Sequence, residues 1–392
     1  MSREVGAVVL IGASVRAMAE SAARSDFTPI GIDLFGDEDL RAVCKSCRVV
    51  SKSDYPRGFI KAAREFDGLP RAYGGGLENY PDVVAALAAG GPLWGNDSAT
   101  IARCRAWDAW NSLAPIHGIQ WPERHQAVLN LERGRKTEDW LVKPIRGAAG
   151  NGIRSWEGEP IAADEFVERR REGTLRSAVF VASDGGAILF YFTRQLVGEP
   201  WCRASRYSYC GSICGVGSEI ERFRLVERMG KELARAFVLR GVFGIDYFEL
   251  DGAIAPIELN PRWTASIEVL ERIFGFNVFF SHALSGGCPR PPFLDRCVAA
   301  DRSEYVDAMT DLRCRAVGKA ILFAKEGVIT PPLERRSFNG CELADIPASG
   351  TSIAKGEPIV SVLVEELDVD DATITEKLKN AVEAVEWRIY AS

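Results

Sequence analysis

The stretch Gly244–Glu268, GIDYFELDGAIAPIELNPRWTASIE, decides how this 392-residue chain is read. It divides into two β-like runs joined by Asp251-Gly252, a strong turn signal. Side chains two apart on a strand share a face, so Glu258 and Asn260 point the same way. A three-residue connection, Asp251 to Ala253, sets Asp246 opposite Glu258 and on its face. A two-residue connection sets Ile257 there instead and sends Asp246 to the other side. The first register gathers two carboxylates and an amide oxygen in one patch. Hard oxygen donors of that kind suit Mg²⁺ or Mn²⁺, which keep waters and are usually completed by nucleotide phosphates. The run PIELNP is too apolar around Glu258 for a solvated edge. Arg262 follows at once, with a planar fork matched to phosphate.

A hundred residues earlier, Trp140–Trp156 reads WLVKPIRGAAGNGIRSW. A strand delivers Lys143, a loop carrying Gly147, Gly150 and Gly152 follows, and a second strand closes the unit. Glycines permit close backbone approach and positive φ, so successive N–H groups can cradle phosphate oxygens. No Gly-Lys-Ser/Thr ends the loop and no helix follows it, so this is not a Walker loop. The pattern predicts a flap that folds over a nucleotide, with Lys143 as a point charge. Glu168, on the chain between two lobes, is placed to meet an adenine amino group or ribose.

Outward from these motifs the chain divides in three. Residues 1–100 alternate strands (5–11, 29–35, 48–50, 92–94) with helices, the pattern of a doubly wound parallel sheet. The turn Gly12-Ala-Ser14 suggests a ligand near the strand ends but lacks the full dinucleotide fingerprint. Ser14, Arg16 and Glu78 read as substrate-side or domain-contact residues. Residues 101–288 open with a predicted helix over 101–113 and contain the clearest helix, 219–239, whose apolar positions recur every three or four residues. The proline-rich Cys288–Leu294 marks the second boundary. Residues 289–392 read as a small β-rich unit with a terminal helix over 372–385.

The net charge of −6 argues against a duplex nucleic-acid binder. No run is long and apolar enough to span a bilayer, and the first twenty residues read as a strand and helix, not a leader. The ten cysteines are scattered and fit reduced thiols in a cytoplasm. Cys44-Lys-Ser-Cys47 lacks the second ligand pair a zinc site needs. The three histidines are isolated, so no nucleophilic triad is in view.

Lys143 before a glycine flap, Asp246 on one strand, and Glu258-Leu-Asn260-Pro-Arg262 on the next resemble the ATP-grasp superfamily of carboxylate–amine ligases. The first hundred residues look like its pre-ATP-grasp domain. Ile346-Pro and Ile353-Ala-Lys-Gly-Glu-Pro are similar to the small C-terminal subdomain of biotin carboxylase-type members. The resemblance implies an α/β chain with a pre-ATP-grasp domain, a two-lobed α+β ATP-grasp domain and a C-terminal subdomain. It implies ATP and Mg²⁺ as cofactors, with small-molecule carboxylate and amine substrates. Lys143 would contact the α/β-phosphates, and the flap amides (Gly147, Gly150, Gly152) would cover the β/γ-phosphates. Glu168 would hold the adenine or ribose side, and Asp246, Glu258 and Asn260 the metal. Arg262 would stabilise the transferring phosphoryl group.

More narrowly, Gly12-Ala-Ser-Val-Arg16, Asp33-Leu-Phe-Gly-Asp37, Leu77-Glu-Asn79 and Gly318-Lys-Ala-Ile-Leu322 resemble a subgroup found with methanofuran- and tetrahydromethanopterin-linked one-carbon enzymes. That subgroup is related in role to tyramine–glutamate ligases. Related folds often form homodimers. In one place the chain departs from the wider pattern: where a lysine often opens the central domain as a second ATP contact, it offers Arg103 or Arg105. Two rival readings use the same residues, a nucleotide-binding regulator with a degenerate site and an enzyme of another class built on the first domain.

Overall fold

The structure, a computed structural model, describes residues 6–126, 139–215, 220–288, 315–335 and 340–391. The first unit is a five-stranded parallel sheet. Its central strand β1 (Ala7–Ile11) lies between β2 (Thr28–Asp33) and β4 (Arg71–Tyr73), with β3 (Ser46–Val49) and β5 (Leu93–Trp94) outside them. Val8 to Ile11 form a continuous apolar run because helices cover both faces of such a sheet. Strand β4 was not legible: it is three residues long and runs straight into Gly74-Gly75-Gly76, which reads as a turn.

Strands β6 (Arg124–His125), β7 (Trp140–Pro144), β8 (Arg154–Ser155) and β9 (Glu165–Arg169) make a small sheet in the order β6-β9-β7-β8. Strands β10 (Thr174–Ser183), β11 (Gly186–Val197), β12 (Tyr209–Gly215), β13 (Gly241–Leu250) and β14 (Ala253–Asn260) belong to a large antiparallel sheet. The helix Ile220–Phe237 packs on it through Val226, Met229 and Leu233, all fully buried. Strand β14 is the sheet's edge, yet it is not solvated. The segment 116–120 runs beside it, with the Gly118 carbonyl accepting from Ile254 N–H and the Ile254 carbonyl accepting from Gln120 N–H.

The C-terminal residues, expected as a separate subdomain, extend this same sheet. Strand β15 (Arg315–Phe323) pairs with β12, followed outward by β19 (Pro358–Leu367) and β17 (Glu342–Ala344); β16 (Val328–Ile329) and β18 (Ser352–Ile353) form a two-stranded ribbon. The terminal helix Asp371–Tyr390 is capped by the Asp370 carboxylate, which accepts from Thr373 N–H at 2.8 Å. It buries Ile374, Leu378, Val382, Val385 and Ile389 in a core shared with Leu196, Cys202 and Ile213 of the middle region. That sharing of sheet and core follows from β12 presenting an open edge to β15. The second predicted boundary, Cys288–Leu294, lies outside the described residues beyond Cys288. The first, near residue 100, falls inside a helix, Ser98–Arg105. The predicted 101–113 helix stops there because Ala106 turns extended (ψ 129°), which lets Trp110 swing into the core beneath Arg124.

One buried ion cluster joins the units. Arg16, wholly enclosed, donates to Glu268 at 2.8 Å and to both oxygens of Asp345 at 3.0 and 3.1 Å. Lys319 on β15 donates to Glu268 at 2.6 Å. Burial alone would push the Glu268 carboxyl up, but Arg16 and Lys319 hold it well below the usual range. Arg16 is therefore a domain-contact residue.

Candidate active site

The hairpin β13–β14 resolves the register question by a route neither alternative contained. Leu250 pairs with Ala253, so the turn is the two-residue Asp251-Gly252, with Gly252 at φ +67°. On that count Ile257 would face Asp246. A β-bulge intervenes: Tyr247 pairs with Pro256, but Asp246 pairs with Glu258, leaving Ile257 as the extra residue. One inserted residue exchanges the faces of everything beyond it. Pro256 has no N–H to give to the ladder, and bulges gather at such positions. The Ile257 carbonyl accepts from Arg124 Nη2 at 2.7 Å.

The bulge brings Asp246, Glu258 and Asn260 together. Asp246 accepts from Gln195 Nε2 at 2.6 Å and from Asn260 Nδ2 at 3.1 Å. Burial, and then the neighbouring Glu258 charge, push its carboxyl up to about 7. The Asn260 oxygen accepts from Arg262 Nη2 at 3.0 Å, so Asn260 bridges the acid pair to the arginine. Arg262 also donates to Glu78 Oε1 at 2.6 Å. Glu78 sits on a short turn, Leu77–Asn79, that Gly76 enters at φ +98°. Arg105 reaches the same cluster, donating to Glu258 Oε1 at 3.0 Å with Nη2 at 3.2 Å from Glu78 Oε1. Burial would raise the Glu78 carboxyl, but Arg262 and Arg105 bring it down to about 2.

The opposite wall is the small sheet. Its register pairs Arg124 and Leu141 with Glu168, and Lys143, two along from Leu141, takes the same face. Lys143 Nζ donates to Glu168 Oε1, and Arg124 Nε donates to Oε2 at 2.7 Å. Burial would raise the Glu168 carboxyl, yet Lys143 and then Arg124 hold it below its ordinary value. Glu168 was expected to meet adenine or ribose. In the structure it is 2% exposed, and both of its oxygens are engaged by Lys143 and Arg124. Its place is that of an anchor for Lys143 and Arg124.

The glycine loop spans β7 and β8. Ala149, Gly150 and Gly152 hold φ of +53°, +79° and +79°. A Cβ on Gly150 would overlap the Tyr207 carbonyl oxygen, so the flap rests against residues 207–208. Asn79 Nδ2 donates to the Gly147 carbonyl at 3.0 Å, tying the flap to the first unit. Gly147 and Gly150 line the cavity, whereas Gly152 stands back against Pro144.

Between the two walls and under the flap lies a cavity of about 530 Å³, lined by Lys143, Glu168, Asp246, Glu258, Asn260 and Arg262. That is a volume suited to a nucleotide-sized ligand. A larger groove, about 1020 Å³, runs along Ile188, Arg228, Lys231 and Arg235. Neither an acid pair nor the flap borders it, so the chemistry belongs to the smaller cavity. Among the described residues, no group of three or more His, Cys, Asp or Glu side chains is arranged to hold a metal ion. The donor set on the hairpin is instead two carboxylates and an amide. Its two acids stand in register, and oxygen donors of that kind fit a hard divalent ion.

Residues 109–266 match the family model described as ATP-grasp domain. An L-amino acid ligase from Bacillus licheniformis superposes with a TM-score of 0.66 at 13% identity, covering 97% of this chain and 98% of that one. The fold is ATP-grasp. The biotin carboxylase domain of the 2-oxoglutarate carboxylase from Hydrogenobacter thermophilus, a dimer solved with MgADP, ADP and bicarbonate, gives 0.68 at 13% identity over 96% of this chain and 89% of that one. An uncharacterized protein of Methanocaldococcus jannaschii is 26% identical over 238 residues, 58% of this chain. The chain spans about half (51%) of the length of that curated relative.

Within this ATP-grasp frame, two residues escaped the sequence reading. Arg124 lies on a two-residue strand with no periodic signal, though a lone arginine just past Pro122 is the trace it leaves. Gln195 was visible only as a polar strand end. Its neighbour Arg194 turns instead to Asp371 and Thr375 of the terminal helix. Arg103 points away from the cavity, to Thr100 and the Phe237 carbonyl.

Proposed function

We propose that the chain is an ATP- and Mg²⁺-dependent ligase that joins a carboxylate to an amine through an acyl phosphate. One observation carries the reading: side chains from two separate sheets meet around one flap-covered cavity. Glu168 fixes Lys143 and Arg124 on one wall, and the Asp246–Glu258 pair with Asn260 and Arg262 forms the other.

Phosphoryl transfer needs positioning and charge neutralisation more than a covalent enzyme nucleophile. Lys143 and Arg124, held by a buried carboxylate, present fixed positive charge to the nucleotide phosphates. The flap N–H groups add donors and exclude water, which would hydrolyse an acyl phosphate. Asp246, Glu258 and Asn260 would hold Mg²⁺, whose role when bound is to neutralise phosphate charge. A substrate carboxylate oxygen attacks the γ-phosphorus as its bond to the β,γ-bridging oxygen breaks, releasing ADP. The amine nitrogen then attacks the acyl carbon, phosphate leaves, and the nitrogen loses a proton. Arg262 faces the carboxylate and transferring phosphoryl group, and its tie to Glu78 keeps its fork oriented.

The finer reading rests on the four short motifs that resemble the one-carbon-linked subgroup. It makes the acid glutamate-like, the amine tyramine-like and the product a precursor of a one-carbon carrier cofactor. A homodimer belongs to the same reading. The test is ADP release from Mg·ATP across amino acids and aryl amines, with glutamate and tyramine first. ADP formation that requires both an acid and an amine supports the ligase. ATP-induced thermal stabilisation without ADP release from any pair sinks it.

A further inference from the structure

Arg124 shares Glu168 with Lys143 on the far wall and there offers a second cation toward a nucleotide. Arg105 therefore has another task, and its surroundings describe it. It sits beside Arg262, both guanidiniums turned to one oxygen of Glu78, at 3.2 and 2.6 Å. Both line the cavity. Some of their donors are left over: Arg105 Nε and Arg262 Nε are buried without a hydrogen-bond partner, and Arg105 Nη2, though within ion-pair range of Glu78, makes no hydrogen bond. Buried donors are paired almost everywhere in proteins, so unpaired ones on two cavity-lining side chains call for an acceptor. Two neighbouring guanidiniums, anchored by Glu258, Glu78, Asn260 and the Trp263 carbonyl, set planar donors against one cavity and match the two-oxygen geometry of a carboxylate.

We propose that Arg105 and Arg262 form a two-armed clamp for the substrate carboxylate, with Glu78 of the first unit as the positioning residue that spaces them. The clamp rests on the ligase reading for its place in the reaction, though not for its ability to bind an acid. It gives the first unit a direct share in substrate selection. Glu78 sets the arginines while the adjacent Asn79 holds the flap at Gly147. A free monocarboxylate end fits such a clamp. A carboxamide, which brings its own donors, does not.

The experiment uses the full chain with L-glutamate, succinate and benzoate as acids. ADP release from Mg·ATP is one readout, and calorimetric binding of each acid beside a non-hydrolysable ATP analogue is the other. Arg105→Gln should raise the carboxylate KM and Kd about tenfold or more, as loss of a charge-assisted pair does, while the KM for ATP stays within about twofold. Glu78→Gln should raise the same constants by roughly threefold, the mark of arms present but loosened. Arg105→Lys should recover part of the loss, and it also carries the test if the glutamine variant fails to fold. Arg103→Gln, whose side chain points away, should change neither constant. A rise in the KM for ATP with carboxylate binding unmoved would make Arg105 a nucleotide contact and overturn the clamp. Unchanged constants in a folded Arg105 variant, or a wild type that binds none of the three acids, overturn it as well. Acid binding that still depends on Arg105 without any ADP release removes the ligase reading and leaves the clamp standing.

Discussion

Two buried ion clusters in this protein are built from the same residue types and do opposite things. Around Arg16 every guanidinium nitrogen has a carboxylate partner, spread over Glu20, Glu268 and Asp345, and Lys319 completes the charge. Around Glu78 two arginines crowd one oxygen and keep buried donors unused. The first cluster lies where three units meet and touches no cavity residue's chemistry. The second lines the cavity. The contrast between the two clusters is visible only when donors are followed one by one.

The sharpest way to break that contrast is to cut into each cluster and read both activity and stability. Glu258→Ala should lower ADP release by ~10²-fold or more with little change in urea midpoint, because it removes a group whose value lies in the reacting state. Near wild-type turnover in the folded variant would strip the hairpin of its role. Glu268→Ala should do the reverse. Removing the carboxylate that Arg16 and Lys319 share, with only Asp345 and Glu20 left to them, should cost roughly 3–5 kcal/mol in urea unfolding, while the folded fraction retains turnover.

A smaller effect tests the flap between them. Gly150→Ala places a Cβ against the Tyr207 carbonyl at positive φ, and it should cut turnover by about tenfold through misplacement alone. Acid unfolding sharpens the stability side. Glu268 and Asp345 are held below their ordinary values when folded. Their contribution is therefore full above the unfolded carboxylate range, near 4.5 for Glu268, and is lost as pH falls below it. Wild type should lose stability steadily below that point, and Glu268→Gln should flatten the slope. An equal slope in both proteins would show that the junction carries no titrating load.

What the sequence disclosed follows the range of the interactions involved. Lys143, the glycines, Asp246, Glu258, Asn260 and Arg262 stand in short local motifs, and local spacing exposes them. The first sheet was legible from its apolar runs, apart from β4, whose three residues vanish beside three glycines. Arg124 and the Glu78–Arg262 pair were not legible. The former is a lone residue on a two-residue strand, and the latter spans 184 positions. The place of the last hundred residues in the large sheet was not legible for a similar reason. Nothing local in 315–323 announces that it will pair with 211–215 and lengthen an existing sheet. Glu168 shows a third limit: its position was found, but its partners were not.

The bulge at Ile257 makes the hairpin a matter of parity. With the two-residue Asp251-Gly252 turn, an unbulged strand would set Ile257 opposite Asp246, and the one extra residue is what returns Glu258 to that place. A three-residue turn with an unbulged strand reaches the same pairing with the same number of residues, so a homologue built that way aligns with this hairpin without a gap.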